Sequence, residues 1–187
     1  MSKSRHLAAW SLSVAAALAA GGCGGSGKES SSKTAIRGGV SDNQVFLVFH
    51  NRSAGYSIKY PGSWTRLGSG GNVRFKEKDN VIHIVVVPGT EITAKSAAAE
   101  LAALEASSAS LKVLSAPRQV TIEGKRYVKS TYKTESATDK RVALVVDRYQ
   151  FAARGRKATV DLGTPKGVDN VDAYRLMIES FRWASER

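Results

Sequence analysis

The run Val81-Ile82-His83-Ile84-Val85-Val86-Val87 constrains this chain more than any other stretch. Its β-branched residues favour extended backbone, and side chains along a strand alternate between two faces. Apolar residues fall on both faces here, so the run predicts a central strand with cover on each side. His83 shares a face with Val81, Val85 and Val87, which predicts a satisfied sheet histidine. The polar stretch Glu77-Lys78-Asp79-Asn80 separates this run from Val73–Lys76, and its length predicts a hairpin.

Other segments repeat the pattern. Strands are expected over 45–49 and 56–60, then over 118–122 and 126–133 around Glu123-Gly124-Lys125. A further hairpin is expected over 141–153 and 157–162, around Arg154-Gly155-Arg156. Two stretches have helical spacing instead. Thr93 is a suitable N-cap for a helix with Ala97, Leu101, Leu104 and Ser108 on one face. A last helix begins near Asn170, with Val171, Tyr174, Ile178 and Phe181 in one stripe and Asp169 and Asp172 near its N-terminus. Hairpins, with helices after the fourth strand and at the end, predict an α+β domain: a mainly antiparallel sheet with helices packed on it.

The N-terminal region reads differently. Lys3 and Arg5 precede an uncharged, mostly apolar run from Leu7 to Ala20. That run is shorter than the about 20 residues a membrane-spanning helix needs, so residues 1–22 are expected to be an export signal. The single cysteine follows in Ala20-Gly21-Gly22-Cys23, which resembles a bacterial lipobox, with Ala20 where leucine is usual. Acylation of Cys23 would anchor the chain to a membrane on its extracytoplasmic face and accounts for an unpaired cysteine in an exported protein. Cleavage after Ala17-Leu18-Ala19, releasing a soluble protein, is the alternative. Residues 23–42, rich in Gly and Ser at their start, are expected to be a flexible tether. Residues 43–187 then form one globular domain of about 145 residues, enough for a core.

The order Gly55-Tyr56-Ser57-Ile58, Tyr60-Pro61 and Trp64 resembles the entry motif of PsbP-like domains, the α/β/α sandwich shared with Mog proteins. Phe75 before a central strand, Ile122-Glu123-Gly124 before a hairpin and a final helix into Ser180-Phe181-Arg182 are similar too. The resemblance spans residues 43–183 and implies the sandwich fold. It implies no site residue, and a fold does not carry a function with it. Pro61 should keep Tyr60 extended and end a strand, leaving Trp64 to fold back as a core anchor.

Residue types limit the chemistry. Beyond the signal only His50 and His83 remain, and the lone cysteine lies in the tether, so no metal centre or other cofactor is expected. Gly22–Glu29 differs from a phosphate-binding loop in having Glu29 where Ser or Thr is required, and no strand precedes it. Gly68-Ser69-Gly70-Gly71 lacks the strand–turn–helix context of a nucleophile elbow. No catalytic residue is assigned. An envelope hydrolase would have to use His50 or His83 as its base.

Charge is the remaining signal. The net charge of +12 falls to +10 when Lys3 and Arg5 leave with the signal. Lys129, Lys133, Arg141, Arg148, Arg156 and Lys157 fall in the later hairpins beside aromatic residues, and are the candidate anion-binding residues. They are expected to line one face or edge. In an exported chain their partner would be anionic lipid or an acidic envelope polymer, not nucleic acid. Protection of exposed strands by Lys and Arg explains the same residues without a ligand. The expected function is a non-catalytic binding or assembly module held at the membrane, with an unidentified protein or envelope polymer as partner. A carrier holding a small ligand between sheet and helix is the alternative.

Overall fold

A computed structural model of the protein describes residues 38–41 and 43–184. Strands β1 (Phe46–Asn51), β2 (Tyr56–Pro61), β3 (Thr65–Ser69), β4 (Asn72–Glu77) and β5 (Asn80–Pro88) lead into helix α1 (Ala94–Ser107). Strands β6 (Lys112–Ile122), β7 (Lys125–Glu135), β8 (Ala143–Ala153) and β9 (Arg156–Pro165) follow, then helix α2 (Val171–Ser180) and β10 (Arg182–Trp183).

Two sheets result. The larger has the order β3-β4-β5-β9-β8-β7-β6, antiparallel throughout, and the smaller has the order β1-β2-β10. Turn chemistry sets the hairpins. Glu123-Gly124 and Arg154-Gly155 both take positive φ, 50° and 70° in one turn and 55° and 71° in the other, the geometry of a two-residue loop matching strand twist. With register fixed at Ile122↔Lys125 and Ala153↔Arg156, alternation decides which face each side chain meets.

The front face of the large sheet carries Val73, Phe75, Ile82, Ile84, Tyr149, Phe151, Val160 and Leu162, all buried. The small sheet and α2 cover it. Tyr56 stacks on Phe181 at 5.2 Å, and Phe181 meets Phe151 edge-on at 4.7 Å, joining the two layers. Each such pair contributes about 0.5–1.5 kcal/mol beyond its area. The back face is covered by α1, whose Leu101 packs with Leu111, Tyr132, Leu144 and Val146. Thr93 caps α1 as its position predicts: Thr93 Oγ1 accepts from the Ser96 N–H and Ser96 Oγ accepts from the Thr93 N–H, both at 3.0 Å.

Trp64 is buried to 4% exposure, and Tyr56 and Ile58 are buried with it. The Gly55–Trp64 motif is therefore a fold anchor.

Several details differ from the sequence reading. β6 begins at Lys112, six positions before Arg118, because register shifts near Ser115 let a strand containing Pro117 stay paired at the sheet edge. β3 and β10, too polar or too short to stand out, complete the two sheets. Strand β5 is central but covered less evenly than its composition implies: Ile82 and Ile84 are fully buried, whereas Val87 on the back face is 40% exposed. Val171 is 71% exposed because α2 turns Tyr174, Met177 and Ile178 inward instead.

Candidate functional site

Helix α2 crosses the front face near β9 and leaves the β7–β8 side of that face open. The result is a cleft of about 630 Å³ between helix and sheet. Its floor is apolar, from Val145, Leu162, Tyr174 and Ile178. Tyr174 fixes the helix wall, since its hydroxyl donates to the Gly163 carbonyl. Burial pushes that phenol up to about 12.

Polar groups line the sheet wall. Lys129 Nζ lies 2.8 Å from Asp147 Oδ2, and Thr131 Oγ1 donates to Asp147 Oδ1 at 2.8 Å. The same ammonium sits 5.1 Å from the centre of the Tyr149 ring. Burial draws the Lys129 pKa down, but the contacts with Asp147 and Tyr149 outweigh it and leave the group raised. Lys129 is thus a fixed cation at the cleft wall. Across from it, Arg175 Nε pairs with Glu179 Oε1 at 2.8 Å along α2, and Lys166 closes one end.

The six candidate anion-binding residues do not share a face. Lys129, Lys133 and Arg156 occupy the front and Arg148 and Lys157 the back, while Arg141 lies in the β7–β8 connection. Most are engaged internally. Arg148 makes a two-point pair with buried Asp161 and lies 5.3 Å over the Tyr132 ring. Lys157 pairs with Glu100 of α1, and Arg141 with Asp139. Arg156 Nη1 donates to the Ala54 carbonyl at 3.1 Å. Strand order placed Asp161 beside Arg148, and the packing of α1 brought Glu100 to Lys157, whereas Arg141 finds Asp139 two residues away in its own loop.

Two further cations, outside those six, join this surface. Lys112 stands directly opposite Lys133, and Arg118 directly opposite Lys129, on the same front face. Their signal was present in the Lys112–Arg118 spacing, but it becomes legible only once the strand is extended to Lys112. Cys23 lies outside the described residues.

The histidines sit apart from the cleft. His50 is exposed on β1. His83 is half-buried on the back face, with Nε2 2.9 Å from Asn72 Oδ1. Burial, and next the charge of Arg74, hold its pKa below the ordinary value. Among the described residues no three His, Cys, Asp or Glu side chains come together as metal ligands.

An antiparallel sheet covered by helices and a smaller sheet, with an open cleft beside the last helix, defines the class: a layered α+β domain. More particularly, it is a PsbP-like fold. The chain matches the solution structure of cyanobacterial PsbP (CyanoP) from Synechocystis with a TM-score of 0.53 at 17% identity, covering 87% of this chain and 98% of that one. It matches a crystal structure from Bacteroides thetaiotaomicron with a TM-score of 0.53 at 15% identity. That match covers 74% of this chain and 48% of the Bacteroides chain, about half its length. No family model matches the sequence, and no curated protein matches it. Identities this low speak to fold alone.

Proposed function

We propose that this protein is an exported lipoprotein, held on the extracytoplasmic face of a membrane by acyl chains on Cys23, whose folded domain is a non-catalytic binding or assembly module. The observation that carries the binding role is the cation set on the front face beside the α2 cleft: Lys112, Lys133, Arg118 and Lys129. Lys129 and Lys133 remain from the original candidates. Arg148, Arg156 and Lys157 tie distant segments together and serve the fold, Arg141 is an exposed residue paired within its own loop, and Lys129, though paired with Asp147, stands on the cleft wall. A basic surface near a membrane adds a second attraction to an acyl anchor, about 1 kcal/mol per residue for anionic headgroups or comparable polymers.

Cell fractionation tests the anchor. The wild-type chain is expected in the membrane fraction and Cys23→Ala outside it; a Cys23→Ala chain that stays with membranes would remove the lipid anchor from this reading.

The cleft itself favours a second reading, a carrier of a small ligand. A volume of about 630 Å³ with an apolar floor and a few polar groups on its walls has the dimensions of ligand sites in general. Saturable, one-to-one binding of an apolar fluorescent probe, weakened by Val145→Trp at the half-buried part of the floor, would support it. Binding unaffected by that substitution would place the probe elsewhere.

A further inference from the structure

Hairpin β6–β7 presents three successive rungs on the front face: Lys112↔Lys133, Ser115↔Thr131 and Arg118↔Lys129. Two of the three set cation directly against cation. Side chains so placed have Cβ atoms about 5 Å apart, and like charges there are destabilising. Edge protection accounts for only half of this. β6 is the last strand of its sheet, and Lys112, Pro117, Arg118 and the register shifts all discourage edge pairing. Protection would be served as well by a carboxylate opposite each cation on β7, with a stabilising pair as the result. The chain has Lys129 and Lys133 there instead.

At the two cation rungs the paired counter-charge is Asp147 alone, while Glu123 at the hairpin turn and Glu179 of α2 line the adjoining cleft. Asp147 pairs with Lys129, and Glu135 lines a separate pocket by Arg74 and His83. Among the described residues, Lys112, Lys133 and Arg118 form no ion pair. The two cation rungs stand about 13 Å apart along β7, with hydroxyls between them. An arrangement of cation, hydroxyl and cation rungs suits several anionic groups in a row better than one.

Shape separates the two sources of such anions. Lys129 is only 26% exposed and forms part of the cleft wall, so its side of the inner rung is recessed beside α2 while Arg118 opposite is exposed. A flat bilayer meets the protruding helix first. A slender chain reaches the recessed side.

We infer that the front face of β6–β7 is a binding track for a linear polyanion, a polymer with repeated phosphate or carboxylate groups, lying along the hairpin beside the α2 cleft. This rests on the proposed role at anionic envelope surfaces and names the ligand class.

The test uses the full chain carrying Cys23→Ala, titrated with long-chain linear polyphosphate, with orthophosphate, and with phosphatidylcholine vesicles containing phosphatidylglycerol. Polyphosphate should bind saturably and much more tightly than orthophosphate. Lys112→Glu with Arg118→Glu should lower that affinity about tenfold or more. The same double variant should unfold at an equal or higher temperature, because each glutamate then faces a lysine. Reversing Arg52 and Lys95, exposed elsewhere, changes net charge equally and should leave binding nearly intact. Polyphosphate binding that survives the hairpin variant, or falls equally in the Arg52/Lys95 control, overturns the track. Binding to vesicles but not to polyphosphate overturns the polymer and leaves the broader anionic reading standing. Binding to neither probe overturns both.

Discussion

Arg148 meets Asp161 across the β8–β9 ladder through two hydrogen bonds, Nε to Oδ1 at 2.7 Å and Nη2 to Oδ2 at 2.8 Å. Only 13% and 9% of the two side chains are exposed. Burial alone would lower the arginine pKa, yet the paired carboxylate raises it, so the cation persists at any accessible pH. A residue that looked available for a ligand is instead half of an internal pair.

Arg148→Ala should therefore act on stability first. Removing one partner of a buried pair leaves the other charge unpaired and costs about 3–5 kcal/mol. Urea denaturation should show the double variant Arg148→Met with Asp161→Leu less damaged than either single charge removal. Equal, small losses in all three would mean that water reaches the pair.

Gly55 has φ of +65°, and a Cβ placed on it would lie 1.7 Å from Arg156 Nη1. Gly55→Ala adds left-handed strain of about 1–2 kcal/mol and displaces the guanidinium from the Ala54 carbonyl. Thermal melts should show a clear loss. Repeating the change in an Arg156→Ala background should recover the displacement part and leave the backbone part, and no recovery would argue against the contact.

His83 supplies a pH dependence with a definite sign. Its folded pKa is lowered, first by burial, so the unfolded chain binds the proton more readily. The contribution is fully present above about 6.5 and is lost as pH falls through the depressed folded value, with a slope of at most about 1.4 kcal/mol per pH unit. Stability measured from pH 8 to 5 should fall more in wild type than in His83→Gln. Parallel curves would exclude His83 as the source.

Tyr174 works at the other end of the scale. Its phenol is raised from 10.0 to about 12 by burial. Its neutral form stabilises the fold below pH 10, and that contribution is lost as pH rises through about 12. Tyr174→Phe should remove this alkaline component. It should also cost about 1–3 kcal/mol at neutral pH by leaving the Gly163 carbonyl without its donor. A variant as stable as wild type would show the hydroxyl to be dispensable.

Local physics made much of the fold legible. Alternation on 126–133 assigned Lys129, Thr131 and Lys133 to one face, as the β7 register has it. Thr93 announced its helix, and Pro61 and Trp64 announced a strand end and a core anchor. The site was harder. Lys112 and Arg118 entered it only through a strand kept in register by shifts around Ser115 and Pro117, which a period-two pattern does not report.

Most elements, the hairpin turns and the alternation of faces belong to the sequence alone, because each depends on residues a few positions apart. The fate of each charge does not. Lys157 finds Glu100, and Lys112 finds Lys133, only after strands and helices distant in sequence are laid side by side. Coulomb energy follows distance in space, and burial sets its strength. The tertiary structure therefore decided which cations hold the fold and which face outward beside the cleft.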